Sequence, residues 1–333
     1  MKQVMFTRED VQKFIQQGQH LLLAADERVL SQLPQGKWIG GTIPYFMAEQ
    51  GGRFTQEHIY VTVFPDYIAH TSFSFYSVKN IDTLYTDIPE NGVGFILMPA
   101  ASPTLLTFAL NGHSFENFAR RPVIGWVTGV NLADLGKARP KIFDGTTGNV
   151  YEDGALVMHI TLPDNKFADL NILNIFEQGT GDVITFMHDG FSATDAYING
   201  KQQNLAEYIR KHALDTRLPL VADYNGAMIN TSFQQIELSA QRVDFYAPVF
   251  QGIEYKHAKP VGEYVSKFLL QLRQHETQSI FFSCNCILNY LYSELEGKQT
   301  GNITGPITFG EIAYQLLNQT LVYLTISDIV PGD

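Results

Sequence analysis

The sequence predicts an α+β fold: two tightly packed halves, residues 1–185 and 186–333, each mainly antiparallel sheet covered by helices. Three observations carry this expectation. Seven strand-like apolar runs separated by Gly, Pro, Asn and Asp clusters occupy the first half. Helical windows appear mostly in the second, at 205–212, 262–273 and 287–297. No Pro-rich or low-complexity linker separates the halves, so they should pack as one body.

The elements follow in chain order. Thr7, with Asp10 three residues on and then Val11, Phe14 and Ile15 at helical spacing, reads as a capped amphipathic helix. HLLLAA, KWIGG, HIYVTVF, YIAHTSFSF, VGFILM, PVIGWVTG and ALVMHITL read as strands, with FDGTTGN and YEDGA as turns between them. WIGGT at 38–42 and PVIGWVTG at 122–129 share an apolar-Ile-Gly core before a threonine; a duplicated unit would produce this, but chance recurrence of Ile-Gly at strand ends is the plainer reading. Beyond 185 come a helix at Leu205–His212, polar strands near 228–256, a helix at 262–273, the run SIFFSC, a helix ending at Gly297, and TLVYLTI as a buried closing strand.

Composition narrows the function classes. With 23 Lys+Arg against 34 Asp+Glu the net charge is −11, so the mean field repels phosphate backbones and anionic lipid, and nucleic acid is not expected as a partner. Charged residues are 17% and hydrophobic ones 45%, too apolar for a disordered chain. The longest apolar runs are about half of the roughly 20 residues a membrane helix needs, and the first 25 residues lack the unbroken apolar stretch of an export signal. Cys284 and Cys286, one residue apart, are too close for a mutual disulfide and too few for structural zinc, so a reduced, cytoplasmic protein is expected.

Catalytic signatures are absent: there is no phosphate loop, no HExxH, no G-x-S-x-G and no GxGxxG. Arg120, Arg121, Lys137, Arg139 and Lys141 could clamp an anion if folding brought them together, but surface charge is the plainer reading. His70, His159 and His188 have apolar neighbours; a core histidine is favoured over a haem ligand, and no metal is expected. The most informative stretch is FFSCNCILNYLYSE, which places Cys284 and Asn285 between a strand and a helix, where free amides favour an anionic group. The plain alternative is two small buried thiols. A Cys284 nucleophile would need a base, with His257 and His275 nearest in sequence.

FFSCN at 281–285, GPITFGEIA at 305–313 and the following LLNQTLVYLTI resemble the C-terminal half of the FIST sensory proteins. INGK at 198–201 resembles that family's turn, and WIGGT, PVIGWVTG and FDG resemble its N-terminal half. The resemblance implies a bacterial, non-catalytic small-molecule sensor whose ligand is amino-acid-like. The ligand would lie between Cys284, Asn285, Thr308, Phe309, Gly310 and Glu311. Output would pass to a separate partner such as a histidine kinase or a cyclic-di-GMP enzyme; some members bind haem and respond to nitric oxide. Two departures weaken the ligand's anion partner: Cys286 and Ile287 stand where the family has Gly-Arg, and Phe309 replaces a tyrosine.

Overall fold

The computed structural model describes residues 3–224, 226–273 and 280–329. It corrects the predicted class. The chain is mostly β, with 43% of residues in strands and 16% in helices, arranged in five sheets. Strands such as Gly92–Pro99 and Val123–Thr128 are buried along their whole length: Phe95, Leu97 and Trp126 belong to a core shared with other sheets, whereas Ile96, Met98 and Val127 share a core with Leu105 and Phe108 of the short helix Pro103–Asn111. Four helices lie where the spacing put them but are short: Arg8–Gln16, capped by Thr7, then Leu205–Lys211, Tyr264–Arg273 and Ile287–Tyr292, the last ending before Gly297; Glu27–Leu30 and Pro103–Asn111 are helices that the spacing did not announce. Among the described residues no helix is long and apolar enough to cross a membrane.

Three of the six-stranded sheets repeat one plan. In each, a strand leads through a short helix to a second strand parallel to it: Leu21–Ala25 with Trp38–Thr42, Gly92–Pro99 with Val123–Thr128, and Ile280–Cys286 with Gly305–Thr308. A returning antiparallel strand flanks the first member: Ile59–Val63, Ala155–Thr161 and Leu321–Asp328. An edge strand completes that side: Met5–Phe6, His70–Tyr76 and Lys166–Leu173. The other side is closed by a hairpin borrowed from a different unit. The first unit lends Tyr45–Phe54 to the third, the second lends Ile142–Tyr151 to the first, and the third lends Glu311–Leu317 to the second.

The chain is therefore three units joined by a cyclic exchange of hairpins, and register makes their positions comparable. Ala25 pairs with Thr42, Pro99 with Thr128 and Cys286 with Thr308. All three threonines are buried. WIGGT and VIGWVT are thus equivalent strands, with GPIT as the third. Turn chemistry holds as expected: Asp144 Oδ1 accepts from the Thr146 N–H and hydroxyl in FDGTTGN.

Residues 174–279 interrupt the third unit between its edge strand and Ile280–Cys286. Their described part forms the other two sheets, which enclose a core of their own around Phe186, Phe245 and Tyr255. Ile184–Thr185, at the boundary read from the sequence, is the first strand of this insertion.

Candidate functional site

The third unit ends its parallel pair at Cys286 and Thr308, and here polar side chains gather in the core. Glu311 is fully buried. Its Oε2 accepts from the Thr320 N–H (3.2 Å) and hydroxyl (2.7 Å), whereas Oε1 has no hydrogen-bond partner. The Cys286 thiol and Thr308 hydroxyl stand beside the carboxyl, but burial dominates and pushes its pKa up to about 8. The group is predominantly neutral at pH 7. Asn285 Oδ1 accepts from the Cys286 N–H at 2.8 Å and from Asn289 Nδ2 at 2.9 Å; Thr308 Oγ1 donates to the Gly310 carbonyl at 3.0 Å.

Register between the units gives this cluster its meaning. Glu311 lies opposite Trp126, two residues before Thr128; the equivalent residues are Phe143, opposite Gly40, and Phe46, opposite Pro306. Both phenylalanines are buried core. Cys286 corresponds to Ala25 and Pro99, and Asn285 to Ala24 and Met98. One fold position is thus apolar twice and a carboxylic acid once. Burying an acid costs far more than burying a phenyl ring, so the fold itself does not require Glu311.

A cavity of about 460 Å³ opens beside this cluster, at the meeting of the second unit, the third unit and the insertion. Leu105, Cys286, Ile287, Leu288, Phe309 and Leu316 line it. Its volume is in the range of small-molecule pockets. Leu106, Leu135, Tyr246 and Leu291 also line it and are more than a third exposed, which places apolar side chains at the mouth.

The turn Asn318–Thr320 joins cavity, acid and insertion. Asn318 lines the cavity, and its Oδ1 accepts from the Ser232 N–H (2.9 Å) and from the Ser232 hydroxyl. Gln319 has a left-handed φ of 51°, places its Oε1 2.6 Å from Ser232 Oγ, whose single proton it shares with Asn318 Oδ1, and donates to the Arg217 carbonyl at 2.9 Å. Thr320 holds Glu311.

Of the six residues singled out from the sequence, only Phe309 lines the cavity. Cys284 is buried one turn of the pleat below Cys286, its thiol donating to the Gly125 carbonyl at 3.2 Å. Burial and Glu311 push both thiols well above the usual cysteine range, the reverse of an activated nucleophile. His257 faces the Asp215 carbonyl at 2.9 Å, and His275 lies outside the described residues. His70 and His188 are exposed, while His159 is buried against the Tyr76 hydroxyl at 3.0 Å. Arg139 and Lys141 pair with Glu152 and Glu27, so the basic residues form no common anion clamp. Among the described residues no group of three or more His, Cys, Asp or Glu could hold a metal ion.

Over residues 6–327 the chain matches a family of unknown function, DUF6976. The chain belongs to DUF6976. No curated protein matches it. This DUF6976 chain therefore takes its functional reading from its own geometry. Asn289, Asn318 and Thr320, which the sequence reading passed over, belong to that geometry. No sequence signal aligns Glu311 with Phe46 and Phe143, because they follow their threonines by three, four and fifteen residues and become equivalent only through the pairing between units.

Proposed function

We propose that this protein is a cytoplasmic, non-catalytic small-molecule sensor that binds its ligand in the cavity bounded by Leu105, Leu288 and Phe309. The observation that carries the reading is the internal inequality of the three units. The third alone replaces core phenylalanine by Glu311, and the apolar cavity opens beside that unit. Raised thiol pKa values favour binding over cysteine chemistry. Glu311 is neutral and does not line the cavity, so it would not pair a ligand amine as an ion. An amino-acid zwitterion is thus a poorer fit than an apolar molecule. The sensor reading follows from the turn Asn318–Thr320, through which occupancy would reach the insertion and then a separate signalling protein such as a histidine kinase or a cyclic-di-GMP enzyme.

The test uses N-phenyl-1-naphthylamine, an uncharged fluorophore. It should bind the wild type with one-to-one stoichiometry and blue-shifted emission. Leu288→Trp, which fills the cavity, and Leu291→Trp, which narrows its mouth, should each weaken binding by about tenfold or more, as loss of a buried aromatic contact implies. Equal binding to wild type and both folded variants would place the site elsewhere.

A further inference from the structure

The walls of the cavity specify more than its size. Asn318 is 1% exposed, and its Oδ1 is fixed toward Ser232 because a backbone N–H can only donate. The Nδ2 of the same amide is consequently a donor, and it finds no acceptor. A buried amide hydrogen left unpaired costs about 1 to 3 kcal/mol, which an incoming acceptor recovers. The one cationic side chain among the described lining residues is Arg242, which is half-exposed and donates to the Asp244 carboxylate at 2.7 Å. An anionic ligand would have to compete with Asp244 for it. A cationic ligand would find one carboxylate among the described lining residues, Asp244, already paired with Arg242, and would meet leucine, isoleucine and phenylalanine over most of the rest of its surface, losing its hydration.

We infer that the cavity selects an uncharged, largely apolar molecule that carries a hydrogen-bond acceptor, and that the Asn318 amide nitrogen is the donor that orients it. This rests on the reading of the cavity as a ligand site. Asn318 then has two partners at once, the ligand through Nδ2 and Ser232 of the insertion through Oδ1, so the specificity residue is also the first residue of the joint to the insertion.

Three naphthalenes of closely similar shape test it: prodan, with a propionyl ketone; 2-dimethylamino-6-propylnaphthalene, with a methylene in place of the ketone; and 6-dimethylamino-2-naphthoate, an anion. For the wild type, prodan should bind about tenfold tighter than either of the others. Asn318→Leu matches the side chain in size and removes the donor, whereas a buried aspartic acid held neutral would donate its own O–H. Asn318→Leu should remove the preference for prodan over the ketone-free compound while leaving the affinity of the latter within about twofold. The wild-type comparison stands even if the variant does not fold. Equal affinities for prodan and the ketone-free compound, or tightest binding of the naphthoate, would overturn the inference while leaving the cavity as a ligand site. Failure of all three and of N-phenyl-1-naphthylamine to bind would remove the site itself.

Discussion

Glu311→Gln is expected to make the protein more stable than the wild type at pH 9, by several kcal/mol, and to leave it nearly unchanged at pH 5. The carboxyl ionises near 4.5 in an unfolded chain and at about 8 in the fold. Between those values the unfolded chain has given up a proton that the folded chain still holds, so rising pH favours unfolding. The stability is complete below pH 4.5 and is lost progressively as pH rises to 8; the full loss is roughly 5 kcal/mol. Glutamine retains an oxygen for the Thr320 N–H and hydroxyl and cannot ionise. Urea unfolding of both proteins at pH 5, 7 and 9 checks this. A wild type without an alkaline decline, or a variant less stable at pH 9, would show that Glu311 is an ion with partners, as a carboxylate meant to bind a ligand amine would be.

The acid side is expected to be governed in part by His159. Burial against Tyr76 lowers its pKa from 6.5 to about 4, with Asp87 offsetting only a fraction. Here the unfolded chain takes up a proton that the folded chain refuses. The stability is complete above pH 6.5 and is lost as pH falls toward 4, by roughly 3 kcal/mol. His159→Gln keeps a polar partner for the Tyr76 hydroxyl and does not titrate, so its stability between pH 7 and 4.5 should fall by about 2 kcal/mol less than that of the wild type. Parallel acid limbs in the two proteins would assign the acid sensitivity elsewhere.

The strands were readable in the sequence because alternation and turn residues are local signals; LLLAA, VGFILM and ALVMHIT are strands where they were expected. What covers them was not readable. The hairpin at Tyr45–Phe54 pairs with Gly305 and Pro306, and Glu311 pairs with Trp126, contacts set by the cyclic exchange rather than by neighbours in the chain. Helix-covered sheets were expected for that reason; a core shared between sheets is found, with the short helix Pro103–Asn111 covering part of one face. Glycines at 179 and 181 precede the first strand of the insertion 174–279, and the change of pattern near 185 was read there, but nothing local shows that the segment interrupts a unit that resumes at Ile280. Cys284 and Asn285 drew notice from their place between a strand and a helix, and Glu311 through the resemblance of GPITFGEIA to a family loop. Asn318 did not, because its meaning lies in Ser232, 86 residues earlier.

The central claim, that the third unit and the insertion together hold a ligand, is tested most directly by a crystal structure of the protein with prodan. The account predicts density for the naphthalene between Leu288 and Phe309, with the ketone oxygen within hydrogen-bond distance of Asn318 Nδ2. A structure with prodan bound at another surface while this cavity holds only water would contradict it.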